Sequence, residues 1–157
     1  RVIPLRLGVV LSPKAGFLAK LWRIAKVGLI PRWYKPEDSL NWVHLEDVLG
    51  SILFSLANET VEGPINVVSP TPCTYQTFWE TLSHVLVTPR FAVPSRSLLK
   101  VRYGAMAEEV LFASHSAEPK VLLDHNYSFS FPSLEAALRH SLGLYTIEEA
   151  LWARLPG

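Results

Sequence analysis

The chain has 157 residues, of which 49% are hydrophobic, and 15 basic against 14 acidic side chains give it a formal net charge of +1. This length suits about one domain, and the near balance of charge gives no basis for a nucleic-acid-binding or membrane-surface protein. The only cysteine, Cys73, excludes an internal disulfide and predicts a reducing, intracellular compartment.

The N-terminal segment predicts a buried strand of a parallel sheet. Residues 2–11 are β-branched and apolar, with Arg6 and Gly8 as interruptions. Because so apolar a strand follows directly on Arg1, we expect the chain to be a fragment that lacks an N-terminal portion. A helix is predicted over residues 14–29, where large apolar residues recur near helical spacing.

Residues 39–56, SLNWVHLEDVLGSILFSL, predict a short strand followed by a helix from about 45 to 58. Glu46 and Asp47 fall in the first turn of that helix, where carboxylates favour the positive end of the helix dipole. The apolar side chains of the helix form one stripe, which comprises Leu45, Val48, Leu49, Ile52, Leu53 and Leu56.

Further strands and helices alternate along the second half, which indicates an α/β fold. Thr74 and Ser133 are the predicted N-caps of two of these helices. The predicted elements are a strand in 62–70, a helix at 75–87, a short strand in 90–94, a helical region at 95–112, a short helix, turn and β segment in 118–133 with Tyr127, Phe129 and Phe131 on one face, and two last helices in 134–144 and 146–157.

No catalytic motif is recognisable in the chain. It contains no Gly-x-Gly-x-x-Gly loop, no phosphate-binding P-loop, no Gly-x-Ser-x-Gly elbow and no tyrosine followed four residues later by lysine. Its five histidines include no pair at helical ligand spacing, and Cys73 has no histidine nearby, so no metal site is expected.

Four segments resemble a known family in their order along the chain. They are RLGVVLSPKAGFLAKL, NWVHLEDVLGSILF, GPINVVSPTPCTYQTFWETLSHVL and the stretch from AVPSRSLLK to AALRHSL. Together they cover residues 3–143 and resemble the C-terminal half of an extended, atypical short-chain dehydrogenase/reductase. Within that class they are most similar to the epimerase family proteins, nucleoside-diphosphate-sugar epimerases that end in a small domain of unknown function.

The resemblance implies a fold and a division of the chain. Residues 1–87 would be the incomplete C-terminal part of a Rossmann-like NAD(P)-binding domain, and residues 88–157 a small α/β domain on the substrate side. VIPLRLGVVLS and PINVVS would be the last two strands of the parallel sheet. The glycine-rich cofactor loop and the Tyr-x-x-x-Lys pair would lie in a preceding half.

The resemblance also implies where ligands of the whole enzyme would lie. Leu7, Gly8 and Val9 map near the nicotinamide end of the cofactor. Trp42, His44 and Asp47 match the family pattern W-[IV]-H-x-x-D at a corner beside the substrate cleft. No catalytic residue is assigned within the chain, and YKPEDSLN departs from the loop usual in the family, so substrate contacts are not assigned there.

Each of these residues also has a structural interpretation. Trp42 would pack, His44 would bond locally at the start of the helix, and Asp47 would act through the helix N-terminus. Gly8 would admit the close approach of a cofactor or of a neighbouring helix. Two further residues are open: Arg6, in a structural ion pair or on a phosphate, and Cys73, as an ordinary thiol or one whose pKa the helix start lowers.

Two functions follow from the resemblance. The first is the substrate-side part of an NAD(P)-dependent oxidoreductase or epimerase, using NADP or NAD and a nucleotide-sugar-like substrate in the whole protein, with neither activity nor cofactor expected for the chain alone. The second is a non-catalytic binding or assembly module. The partner would be the missing Rossmann half or a second copy, because strand 3–11 would otherwise leave one edge unpaired and cause dimerisation, swapping or aggregation.

Overall fold

A computed structural model describes residues 1–31, 37–88, 91–93 and 116–144. The predicted helices at 95–112 and 146–157 lie outside these ranges. The strands are β1 (Leu5–Leu7), β2 (Val9–Leu11), β3 (Leu29–Pro31), β4 (Ser39–Leu40), β5 (Trp42–His44), β6 (Ile65–Val67), β7 (Cys73–Thr74) and β8 (Phe91–Val93). The helices are α1 (Gly16–Ala25), α2 (Leu45–Ala57), α3 (Tyr75–Leu86), α4 (Lys120–Asp124) and α5 (Leu134–Leu142).

Three of the four strand pairs are parallel, as the α/β prediction requires. β1 runs parallel to β6 with Leu5 opposite Ile65, β2 runs parallel to β5, and β3 runs parallel to β8. The fourth pair, β4 with β7, is antiparallel. The prediction that the first strand and the PINVVS strand are parallel neighbours is therefore confirmed.

The first strand changes partner at Gly8. The amide of Gly8 donates to the Val67 carbonyl at 3.1 Å, and the next amide, of Val9, donates to the Asn41 carbonyl at 2.6 Å. The backbone amide of Ser69 in turn donates to the Trp42 carbonyl at 2.7 Å. Because two consecutive amides face one edge, Gly8 and Val9 form a β-bulge, and β5 inserts between β2 and the end of β6.

The bulge defines the role of Gly8 in the fold. A Cβ at this position would lie 2.6 Å from the Asn41 carbonyl oxygen and 3.0 Å from Cγ1 of Val68. The close approach at Gly8 is made by the backbone beside β5 and not by a neighbouring helix, and the approach of a cofactor there stays a prediction. Gly8 needs no left-handed backbone, unlike Gly16, which has a φ of 78° and open space around it.

Replacing Gly8 with alanine is expected to lower the free energy of unfolding by about 2 kcal/mol, because overpacking against backbone cannot be relieved by a side-chain rotation. Gly16→Ala is the control, since it adds only backbone strain, about 1 kcal/mol. Urea unfolding of both variants measures the difference. A Gly8→Ala variant no less stable than Gly16→Ala would contradict the steric explanation.

The opposite edge of the first strand carries no paired strand within the described ranges. Along a strand, the backbone amides of successive residues point alternately to its two edges. Arg6 and Gly8 face β6, and after the bulge Val9 faces β5. The amides of Leu5, Leu7 and Val10 therefore point to the unpaired edge.

Two apolar clusters hold the described elements together. The first lies between β2, β5 and the helices α1, α3 and α5, and the second lies between β5, β6, α2 and α4. Leu138 of α5 belongs to the same cluster as Phe78 of α3. Packing thus crosses the expected division between residues 87 and 88, which stays a prediction.

The predicted starts of the helices agree with the structure better than the predicted buried faces do. Thr74 caps α3 by accepting a hydrogen bond from the Thr77 amide at 3.1 Å, whereas Ser133 occupies the N-cap position of α5 without a side-chain bond. α1 is shorter than the predicted helix. No helix in the described part of the chain is long and apolar enough to cross a membrane.

The stripe predicted on α2 lies mostly at the surface. Only Val48 of its six residues is buried; the buried face of α2 otherwise consists of Asp47, Ser51 and Ser55. The two serine hydroxyls are satisfied within the helix, since Ser51 donates to the Val48 carbonyl at 2.8 Å and Ser55 donates to the Ser51 carbonyl at 2.7 Å.

The β segment expected after α4 is not a strand. Tyr127 and Phe129 pack in the second cluster, edge to face with centroids 4.9 Å apart, whereas Phe131 packs in the first. The expectation that the three rings share one face is therefore wrong. The cause lies in Asp47, whose carboxylate binds the backbone amides of Ser130 and Phe131 that a sheet would use.

Candidate functional site

The predicted corner between β5 and α2 is formed by His44, which is the N-cap of α2. Its backbone is extended, with φ −77° and ψ 146°, and its Nδ1 accepts a hydrogen bond from the Glu46 amide at 3.2 Å. This is the capping bond that serine, threonine or aspartate usually supplies. The structural interpretation of His44, a local bond at the start of the helix, describes this contact.

His44 also joins α2 to the distant helix α5. Its Nε2 lies 3.2 Å from Nδ1 of His140, and Nε2 of His140 lies 3.3 Å from Oε1 of Glu46. The three side chains and the Glu46 amide thus form a closed ring of three polar contacts. We call this set, His44, Glu46 and His140, the histidine ring.

The direction of each hydrogen bond in the histidine ring follows from its one fixed donor. The Glu46 amide can only donate, so Nδ1 of His44 carries no proton and Nε2 does. Nε2 of His44 then donates to Nδ1 of His140, and Nε2 of His140 donates to the Glu46 carboxylate. Both rings are neutral in this arrangement, and one extra proton on either histidine would break one of the links.

Burial reinforces the neutral form of His44. The ring is buried, and it packs against Phe131 at 4.1 Å and against His140 at 4.9 Å between centroids. Burial as the main cause, and the neighbouring imidazole of His140 as a smaller one, lower the pKa of His44 from 6.5 to about 4. His44 is therefore an acceptor at the helix start and a donor to α5 at neutral pH.

Asp47 lies in the first turn of α2, as predicted, but its carboxylate turns away from the helix start. One oxygen accepts from the Ser130 amide at 2.6 Å and the other from the Phe131 amide at 3.1 Å. Burial raises the pKa of Asp47, and the two amide bonds oppose that rise. Asp47 therefore holds the segment after α4 in place, whereas the sequence had assigned it to the dipole of α2.

A second contact holds the same segment from the opposite side. The Thr71 hydroxyl donates to the Pro132 carbonyl, and the Ser69 hydroxyl lies 3.4 Å from the same oxygen. The Tyr127 hydroxyl donates to the Asp47 carbonyl at 3.2 Å. The backbone of residues 130–132 is thus fixed between α2 and the loop after β6.

Trp42 is buried in the first cluster, which agrees with its packing interpretation. Its indole N–H finds no hydrogen-bond acceptor in the part of the chain that the structure describes. Of the residues expected near the cofactor, Leu7 is 51% exposed, whereas Gly8 and Val9 are partly buried. The cleft and cofactor roles of these residues stay predictions.

The structure contradicts the burial expected for Arg6 and one of the two alternatives left open for Cys73, a lowered pKa. Arg6 is exposed, so it is not a buried guanidinium that requires a partner. Cys73 lies just before α3, but burial raises the pKa of its thiol to about 12 rather than lowering it. Its Sγ lies 3.9 Å from the Leu40 carbonyl oxygen.

Sequence reasoning did not single out His140, and it assigned the Glu46 carboxylate only to the start of α2. Nitrogen and oxygen atoms of the histidine ring lie within 4.8 Å of one another, a spacing that a divalent cation could also use. A metal on Nε2 of His44 would need that atom unprotonated, and the Glu46 amide already requires the proton there. The residues therefore fit a hydrogen-bonded ring better than a metal site.

Comparison with known sequences shows which proteins the chain resembles. Residues 93–141 match the family model of a domain of unknown function, DUF1731. The chain is 28% identical over 141 residues to an epimerase family protein of Mycobacterium bovis and 27% identical over 144 residues to one of Staphylococcus epidermidis. These matches take in 90% and 88% of this chain but 47% and 46% of the relatives.

This chain resembles the C-terminal half of an epimerase family protein. It spans about half the length of the curated relatives it matches. A match of 141 residues in a chain of 157 spans positions 44–140, so the corner between β5 and α2 and the helix α5 both lie within the aligned portion.

Solved structures show the same fold. A human epimerase family protein crystallised with NADPH superposes with a TM-score of 0.78 at 24% identity, over 91% of this chain and 48% of that one. A nucleoside-diphosphate sugar epimerase from Corynebacterium glutamicum gives 0.71 at 22% identity, over 100% of this chain and 30% of that one. The chain therefore has the last strands of a Rossmann-type parallel sheet with a small α/β part beside it.

Proposed function

We propose that this chain is the substrate-side part of an NAD(P)-dependent epimerase or oxidoreductase of the short-chain dehydrogenase/reductase class, and that it is inactive without a cofactor-binding half. The observation that carries the proposal is the parallel pair of β1 and β6 with the opposite edge of β1 and β2 unpaired within the described ranges. A strand with one unpaired edge presents free backbone N–H and C=O groups to which a further strand can pair.

The cofactor would lie against the first strand. Leu7, Gly8 and Val9 would line the cofactor here: Gly8 and Val9 form the bulge, and Leu7 presents an exposed apolar side chain just before it. Relatives in fold have crystal structures with NADPH in one case and with NAD in another, and the structure of a UDP-N-acetylglucosamine 4-epimerase from Methanobrevibacter ruminantium is a complex with UDP-N-acetylmuramic acid. These complexes support a dinucleotide and a nucleotide-sugar-like substrate for the whole protein.

The substrate cleft would lie beside the corner that Trp42, His44 and Asp47 form. All three are buried, so their contribution is to hold backbone in place. Asp47 fixes residues 130–132, and the histidine ring fixes the start of α2 against α5. A rigid corner of this kind would position the loops that contact substrate.

Calorimetric titration of NADPH and NADH into the full-length protein tests the proposal. We expect micromolar binding by the full-length protein and none by the 157-residue chain, which has no glycine-rich loop to bind the pyrophosphate. Leu7→Glu would place a negative charge near the cofactor and weaken binding about tenfold or more.

Val2→Glu is the matched control, because Val2 is an exposed apolar residue on the same N-terminal segment. It should leave the dissociation constant within about twofold. A full-length protein that binds neither dinucleotide would overturn the proposal. Equal weakening by both glutamate variants would remove Leu7 from the cofactor site.

The second candidate function is a non-catalytic assembly module. The observation that favours it is the exposed apolar stripe of α2, which a partner could cover. Light scattering of the chain by itself separates the alternatives: an assembly module forms a defined oligomer, whereas an incomplete enzyme half aggregates or remains heterogeneous. Its partner in that second case would be the missing half.

A further inference from the structure

The exposed side of α2 carries a continuous stripe of large apolar side chains. Leu49, Leu53 and Leu56 are 53%, 67% and 71% exposed, and Leu45 and Ile52 extend the same stripe. Five large apolar side chains on one helix are costly to leave in water, since each would gain about 1.5–3 kcal/mol if fully buried. A contiguous patch of this kind marks a contact surface.

The stripe lies on one flank of α2. At about 100° per residue, its centre is roughly 135° around the helix from the centre of the buried face formed by Asp47, Val48, Ser51 and Ser55. The other flank of α2 is already covered by Tyr127, which packs on Phe54 with centroids 5.2 Å apart and touches Gly50. One side of α2 is thus occupied, and no element of the described ranges covers the stripe on the other side.

The position of the bare flank indicates what covers it. α2 packs over β5, β2 and β6, so it belongs to the helix layer on one face of the sheet. Helices in such a layer pack side by side, each contributing an apolar stripe to its neighbour. The relatives are about twice as long as the matched segment, so half of their chain is available to supply that neighbour.

We propose that this flank of α2, residues Leu45, Leu49, Ile52, Leu53 and Leu56, packs against an apolar helix of the cofactor-binding half of the same protein. The inference rests on the proposed function and names the surface through which the two halves meet. A second copy of the chain is the less suitable occupant, because a stable dimer needs about 20–30 residues from each side and this stripe has five. A helix of the same polypeptide can be held by fewer residues, since the chain connection and the shared sheet also keep it in place.

The test compares one triple variant, Leu49→Gln/Leu53→Gln/Leu56→Gln, in the full-length protein and in the 157-residue chain. The full-length protein should lose about 10 °C or more in its unfolding midpoint, since three buried leucines become polar. The chain alone should lose no stability and should aggregate less, because the same side chains are exposed there. Leu53→Gln alone, with about a third of the shift, keeps the test valid if the triple variant fails to fold.

Val27→Gln with Leu123→Gln is the control, because both residues are exposed apolar side chains outside the stripe. It should move neither midpoint by more than about 2 °C. An unchanged midpoint of the triple variant in the full-length protein would overturn the inference. A second outcome would also overturn it: the 157-residue chain forms a defined dimer, the triple variant abolishes that dimer, and the full-length protein is unaffected. The occupant of the stripe would then be a second copy.

Dinucleotide binding by the unmodified full-length protein is measured in the same series. Its absence would count against the proposed function, and the thermal shift would still decide whether the flank of α2 is buried. The two ideas can therefore fail separately.

Discussion

Replacing Asp47 with alanine is expected to lower the free energy of unfolding by about 3 kcal/mol, measured by urea unfolding at pH 7. The buried carboxylate accepts hydrogen bonds from the amides of Ser130 and Phe131, and each bond to a charged acceptor contributes about 1.5–3 kcal/mol. Removal also leaves two donors without their acceptor. Burial of the charge offsets part of the gain, as the raised pKa of Asp47 shows.

Asp47→Asn separates the hydrogen bonds from the volume of the side chain. An asparagine can accept one amide bond, but its NH₂ group would face the other amide, so we expect a loss of about 2 kcal/mol. Asp124→Asn, at an exposed carboxylate, is the control and should change stability by less than about 0.5 kcal/mol. Asp47→Asn with the stability of the unmodified chain would show that the two amides do not depend on the carboxylate.

Stability should fall as the pH is lowered from 6.5 to 4, through the titration of His44. Its pKa is lowered from 6.5 to about 4 in the folded state, so between these values the unfolded state binds more protons. The contribution is fully present above pH 6.5 and decreases toward pH 4, by about 3 kcal/mol in total, because each tenfold change in proton affinity corresponds to about 1.36 kcal/mol. Unfolding midpoints measured at half-unit steps of pH give the slope.

His44→Asn is the variant that isolates this titration. Asparagine is a favoured N-cap, so the bond to the Glu46 amide is retained while the titrating group is removed. The slope between pH 6.5 and 4 should become markedly shallower. Asp47 acts in the opposite sense near the acid end, because its raised pKa makes the folded state bind protons more readily. An unchanged slope in His44→Asn would assign the pH dependence to other groups.

The sequence predicted the order and type of the main elements because their signals are local. A strand within residues 2–11, the helix beginning at Leu45 and the cap at Thr74 each depend on residues within a few positions of one another. The expectation that the first strand is buried is wrong, because Leu7 is 51% exposed and only Leu11 of β1 and β2 is buried. The parallel neighbourhood of the first strand and the strand of Ile65–Val67 came from resemblance to a family, which carries information on topology that periodicity lacks.

Features that depend on distant partners were not predicted. His44 and His140 are 96 residues apart, and nothing near either one signals the contact. The insertion of β5 at Gly8 likewise depends on backbone around Asn41 and Val67. Local sequence patterns identify residues that can form hydrogen bonds, but they do not identify the distant partners of those residues.

The stripe on α2 shows a different limit. Periodicity correctly placed Leu49, Leu53 and Leu56 on one face, but it could not say which structure covers that face. The face of α2 that packs on the sheet instead carries Asp47 and two serines, whose polar atoms form hydrogen bonds with backbone groups. A helical pattern indicates that a surface needs a partner, and in this chain the described elements do not supply it.

Amide hydrogen exchange of the first strand tests most directly whether this chain is half of a larger sheet. Leu5, Leu7 and Val10 point to the edge that carries no strand within the described ranges, whereas Arg6, Gly8 and Val9 face paired strands. In the 157-residue chain the first three amides should exchange fast beside slow neighbours, and in the full-length protein all six should be slow. Fast exchange of Leu5, Leu7 and Val10 in the folded full-length protein would contradict the account.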